Sequence, residues 1–201
     1  MEIVLVILGV ACLAGLAWFM WTRRVNTADY NEAMILQGDV WSTAFRIRSE
    51  RNRNPGDVPS RWTNNYEAFL REHGGVPSYE SLDKEATTDW RECCGMLLEA
   101  LGRLTEFHES LQHEKKAVQA ARRDNPANLN RLRSLIAEAK RRYDPDGPDG
   151  LEQEIIAAAD NLLAFAEAHV GSIDADSALA TAGAIHDGLD RIHPIIPLNT
   201  L

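Results

Sequence analysis

The side chains able to do chemistry in this 201-residue chain are its histidines, the adjacent pair Cys93-Cys94 and a histidine–aspartate row near the end. His186, Asp190 and His193 share one helical face. Asp190 and His193, three residues apart, are spaced to hold a metal ion jointly. His186 and His193 stand about 10 Å apart along a helix axis, too far for a single ion. Di-metal sites in helix bundles need two acid-x-x-His pairs and two further carboxylates. Only one such pair is found here, so a solvated polar face is the preferred reading, with His186, Asp190 and His193 kept as the metal-ligand candidates. His108-Glu109-Ser110-Leu111-Gln112-His113 approaches a metalloprotease helix, but that motif needs histidines at i and i+4. A spacing of i+5 turns them about 140° apart. Cys93-Cys94 has the chemistry for a soft metal or an oxidant, yet no CxxC stands nearby, and Cys94 falls on an apolar seam that suits a small core residue. The sequence contains no phosphate-binding loop, dinucleotide glycine pattern or nucleophile elbow. The expectation is a protein that is not an enzyme and carries no cofactor. The alternative is a metal-binding or redox bundle using His108, His169, His186, Asp190, His193 and the cysteine pair.

The segment that positions all of this comes first. Ile3 to Trp21 is an uncharged apolar run of 19 residues, followed at once by Arg23 and Arg24. As a helix it reaches roughly 28 Å, close to the hydrocarbon thickness of a bilayer. A cleaved signal peptide fits poorly: Glu2 is the only charge before the core, and Trp18-Phe19-Met20-Trp21 offers no small-residue cleavage site. A lipoprotein cysteine at Cys12 lacks the usual leucine three residues upstream. Trp18 and Trp21 suit the headgroup level. With both arginines on the C-terminal flank, the positive-inside rule puts the short N-terminus outside and the rest in the cytoplasm. Three cysteines, Cys12 and an adjacent pair, give no disulfide framework, in keeping with a reducing compartment. Residues 1–24 are therefore expected to form a transmembrane signal-anchor, contacting membrane lipid, and 25–201 a cytoplasmic helical bundle at the cell membrane.

Charge divides the body unequally. Residues 25–142 hold 18 basic and 18 acidic side chains, whereas 143–201 hold 11 acidic residues and one basic, Arg191. An acidic C-terminal third repels nucleic acid and anionic lipid. Arg46, Arg48, Arg51 and Arg53, with Arg61, form one basic cluster, the interaction candidates. Its options are intramolecular pairing, which is preferred, pairing with the acidic helices (149–193) of another copy, or contact with anionic headgroups as a lipid-surface sensor.

Periodicity is helical throughout, which predicts an all-α fold, an anchor followed by an antiparallel helix bundle. The clearest stripe is Trp90, Cys94, Leu97, Leu101, Leu104, His108 and Leu111. Tyr30, Met34, Trp41 and Ala44 are read as the apolar face of residues 28–50. Leu151, Ile155, Leu162 and Phe165, with an alanine face, serve residues 151–170. Ala178, Ala182, Ile185, Leu189 and Ile192 serve the last helix. Residues 62–72 add a short helix. Asn125-Pro126 reads as an N-cap and first turn, Asp149 with Glu152 as a capping box, and Asp174 as the last cap. Breaks are expected at Asn54–Asp57, Gly74–Pro77 and Asp144–Pro148. The apolar tail after Pro194 is expected to lie against the bundle or a partner.

Three islands resemble the LemA family in order and approximate spacing. They are Tyr30-Asn31 with Val40 and Ile47, Ala100-Leu101-Gly102-Arg103-Leu104, and Ile136 to Tyr143 around Lys140-Arg141-Arg142. The resemblance implies a short outside N-terminus, one anchor and a helical bundle; it implies no catalytic residue. This chain departs from the family at Arg53–Pro59, where paired arginines and an Asp-Leu-Ile-Pro-Asn-type turn are missing. It departs again at Asp144, where the family has asparagine, and in both helices after residue 150. The function expected from all of this is a membrane-anchored interaction or scaffold module that binds a protein partner or itself, and no nucleic acid.

Overall fold

The computed structural model describes residues 2–77, 90–142 and 150–196, with side chains for 15–20, 28–77, 90–142 and 152–196. Among them every regular element is helical. These are α1 (Glu2–Arg53), a 3-10 turn (Pro55–Asp57), α2 (Ser60–Glu72), α3 (Trp90–Arg142), α4 (Gly150–His169) and α5 (Ala175–Ile192). The all-α class read from periodicity is the class that forms.

Helix ends follow local chemistry. Pro55 closes α1, because its ring disfavours helical geometry at Asn54, and the chain tightens into the 3-10 turn with Asp57 N donating to Asn54 O at 3.1 Å. Gly74 (φ 66°) and Gly75 (φ 130°) take backbone conformations that a side chain resists. There Gly75 N donates to Leu70 O at 2.7 Å, satisfying a carbonyl left open by the end of α2. Asp174, extended at φ −77° and ψ 135°, caps α5 as its position foretold.

The chain forms two compact units: residues 1–49 with 66–109, and residues 50–65 with 110–201. In the first, α1 buries Ala33, Leu36, Val40, Ala44 and Ile47. This corrects the stripe expected for that helix. Tyr30, Met34 and Trp41 are 42, 41 and 60% exposed, and only Ala44 of the four is buried. The bulkier residues suggested the core side, but the helix turns its smaller aliphatic row inward. On α3 the expected seam holds: Cys94, Leu97 and Leu104 are buried, with Trp90, Leu101 and His108 half-buried. Tyr66 and Phe69 of α2 pack on Phe107 of α3, with ring centroids 5.4 Å apart in both pairs. Glu72 of α2 pairs with Arg103 of α3 at 3.6 Å, so those two helices run antiparallel.

In the second unit, α4 and α5 pack on the C-terminal part of α3. Arg133–Glu167 and Lys140–Asp160 pairs set α4 antiparallel to α3. The contacts of α5 rise along α3 together, Ala178 at Asn125 and Gly188 at Leu132. The main core gathers Leu132, Leu135, Ile136 and Ala139 of α3, Ile156 and Ala159 of α4, and Ile192 and Ile196. Each large aliphatic side chain fully buried there contributes about 1.5–3 kcal/mol. Burial of Ile196 meets the expectation that the apolar tail lies against the bundle; Pro197 onward lies outside the described residues. Phe165, expected in the core of α4, is 41% exposed, and Ala166 takes the buried place instead.

A second correction concerns α3. Asn125-Pro126 does not start a helix: Pro126 lies inside a single helix of 53 residues. The Asn125 side chain, 3% exposed, is engaged elsewhere, donating Nδ2 to Ala178 O at 3.0 Å. Asp144–Pro148 and the Asp149 half of the proposed capping box lie outside the described residues. So do the side chains of 1–14 and 21–27, which make up most of the expected anchor. Among the described residues no helix is long and apolar enough to cross a membrane.

Candidate functional site

The histidine row comes from α5. His186 Nε2 lies 3.4 Å from Asp190 Oδ2, one turn on, and both side chains are largely exposed. His193 follows at the C-cap, where its backbone N–H donates to Leu189 O, and is itself exposed. His169 sits on α4, its Nδ1 bonded to Phe165 O at 2.8 Å and its ring stacked on Phe165. His108 is half-buried on α3. Among the described residues no group of three or more His, Cys, Asp or Glu is placed to hold a metal ion.

The cysteines behave as core residues. Cys93 and Cys94 are both buried, and neither forms a disulfide among the described residues. Cys94 Sγ donates to Asp29 O at 3.4 Å, and burial pushes its thiol above the ordinary value, with Glu32 and other nearby groups adding to the effect. A raised thiol is a poor nucleophile and a poor metal ligand at neutral pH.

Of the basic cluster, Arg46, Arg48 and Arg53 are exposed and Arg51 is half-buried at the end of α1. Arg61 donates from Nη2 to both carboxylate oxygens of Glu114, at 2.7 and 2.9 Å.

A polar node that the sequence reading missed lies in the second unit. Arg122 of α3 donates to the Asp57 carboxylate, to Gly56 O at 2.8 Å and to Ile173 O. Gln119, one turn earlier, donates to the other Asp57 oxygen at 3.3 Å. Asp176 accepts the first backbone N–H of α2, Ser60 N, at 3.0 and 3.2 Å, so a residue of α5 caps another helix. One guanidinium thus ties the 3-10 turn, α3 and the α4–α5 loop. The available signal was an acid directly behind Asn-Pro-Gly, a turn that needs an anchor; its partner, 65 residues on, was not legible.

Among the described residues, two surfaces stand out as able to receive another molecule. A groove of about 310 Å³ between α3 and α5 is lined by alanines, Ala117, Ala120, Ala121 and Ala182, together with Asp124 and His186 among others. On the first unit, α1 exposes Tyr30, Met34, Ile35, Trp41 and Phe45, the last two at 60 and 71%. Further along the same helix Leu16, Trp18, Phe19 and Met20 are 56–67% exposed. Scattered apolar residues on a surface are ordinary; several large ones on one helix mark a contact face. Comparison with known proteins finds no matching family model, no matching curated protein and no matching solved structure.

Proposed function

We propose that the chain is a single-pass membrane protein whose helical body works by contact with other protein surfaces rather than by catalysis. The observation that carries this reading is the continuity of α1. One helix runs from Glu2 to Arg53, so the apolar run and the buried row Ala33–Ile47 belong to the same rod. A bilayer-length apolar segment at one end of a rod and a packed helical body at the other hold that body at a membrane. The apolar side chains exposed along α1 beyond the run supply the contact face. Arg23 and Arg24 favour a cytoplasmic body. The LemA resemblance belongs to the same reading, and its second island and the third as far as Arg142 lie on α3.

The test uses the full chain with a C-terminal epitope, expressed in a bacterial cell. The protein is expected to stay in the membrane pellet through alkaline carbonate. Its epitope should survive protease in intact cells and vanish when the inner membrane is opened. Release by carbonate would remove the anchor, and digestion from outside intact cells would reverse the orientation.

A further inference from the structure

We propose that the partner of α1 is a second copy of the same chain, paired in parallel through the face formed by Met34, Gly38, Trp41 and Phe45, which begins just past Tyr30, whose ring meets Trp90 of α3 edge-on at 5.0 Å. The inference rests on the membrane-anchored reading and names its partner. These positions follow one another at steps of 4, 3 and 4, the spacing at which one helix inserts side chains between those of another. They lie more than a quarter-turn round the helix from the buried row of α1, and Trp41 is 60% and Phe45 71% exposed. At Gly38, halfway along, nothing lies within 4 Å of the place a Cβ would take, so a second backbone can come close.

Self-compatibility selects a copy over another protein. Asn31, Ser42 and Ser49, beside the seam, are exposed and uncharged. Glu32 and Asp39 lie about 140–160° round the helix from Met34. Two identical faces laid together in register bring no like charges against each other before Arg48. Lipid does not account for the face, since a straight helix carries Trp41 about 26 Å past Arg24. The same line continues towards the membrane, because Leu16 and Met20 stand five full turns before Met34 and Gly38 and are 56 and 61% exposed. Copies sharing one membrane and one orientation meet in parallel, as a two-fold pair requires.

Arg48 marks the far end. It lies seven residues beyond Trp41 and is exposed, so in a parallel pair it faces its own counterpart. Added salt screens that repulsion, and self-association is expected to strengthen between low and physiological salt.

The experiment uses the full chain in membranes, with membrane retention and oxidative cross-linking read from the same sample. Met34→Cys and Phe45→Cys are each expected to give a disulfide dimer above that of the unsubstituted chain. Arg46→Cys, turned about 120° from the seam, should give none. Trp41→Glu with Phe45→Glu should raise the concentration for half-dimerisation in detergent more than about tenfold. Circular dichroism should be unchanged, because both side chains are exposed. A membrane-retained chain with no excess cross-link at either position overturns the pairing and leaves the anchor standing. Preferential cross-linking of Met34→Cys to Ser42→Cys overturns it too, since that is antiparallel pairing. A chain released by carbonate that still cross-links at both positions keeps the pairing and removes the anchor.

Discussion

At the residue scale, Arg122 joins three polar partners. Its partners Asp57, Gly56 O and Ile173 O belong to two separate loops. The Asp57 side chain is 11% exposed, so its carboxylate has little water to fall back on. Arg122→Ala should lower unfolding stability by about 2–4 kcal/mol, because it strands that carboxylate as well as removing the bonds. Arg122→Lys should recover less than half of this in the same urea titration, since an ammonium cannot span three acceptors as a planar fork does. Equal stability of Arg122→Ala and the parent would reduce the node to ornament on the surface. Asp174 offers a pH-dependent counterpart. The backbone N–H of Ser177 donates to it at 2.8 Å and, as the largest influence, holds its carboxyl below the usual range. A carboxyl whose folded pKa is lowered stabilises fully above its unfolded value and loses that contribution as pH falls through the folded one. Asp174→Ala is therefore expected to cost about 1 kcal/mol at pH 7. The gap between it and the parent should narrow in thermal melts run below about pH 4. A gap independent of pH would assign the loss to something other than the cap.

At the scale of elements, α3 and α5 approach closely because Gly188 leaves room for Leu132. A Cβ added at Gly188 would stand 2.8 Å from Leu132 Cδ2. Alanine in a helix interior is worth about 1 kcal/mol over glycine, while overpacking a core costs about 1–3 kcal/mol. Leu132 is fully buried and has nowhere to move, so the second effect wins. Gly188→Ala should destabilise, and combining it with Leu132→Ala should cost less than the two losses added together, a coupling that a double-mutant cycle measures. Additive losses would mean the helices slide apart instead. Pro126 sets the opposite expectation. It sits inside α3, where it lacks the N–H that would reach Arg122 O. Pro126→Ala should raise the melting temperature, with an upper limit near 3 kcal/mol from intrinsic propensity. A fall would show that Asn125 needs the proline to reach Ala178. These cases mark what the sequence made readable. Periodicity gave the helices and the α3 seam because a 3.6-residue repeat needs only local information. It gave the wrong face of α1, since a chain with two apolar rows does not say which one meets a neighbour. It divided α3 at Asn125-Pro126, because a cap signal and a buried asparagine look the same until the acceptor is seen. The Asp57–Arg122 node escaped entirely, being a pairing across 65 residues with no spacing rule.

At the scale of the whole molecule, the proposed membrane placement could rest on either of two attractions, the apolar run or the arginine cluster. Their reach differs. Arg46 lies 22 residues beyond Arg24, about 33 Å along a straight helix, whereas surface charge is screened within about 8 Å at physiological salt. The charge of residues 143–201, 11 acidic against one basic, opposes approach to an anionic surface further. Hydrophobic insertion is insensitive to both. Full-length protein reconstituted into vesicles should therefore be retained equally by neutral and by anionic lipid, and 1 M salt should release none of it. The variant with Arg46, Arg48, Arg51 and Arg53 all changed to Gln should behave identically in flotation. A chain that floats only with anionic vesicles, and that salt or the four glutamines set free, would transfer the membrane role from the apolar run to the cluster. α1 would then have to lie along the lipid surface instead of rising from it.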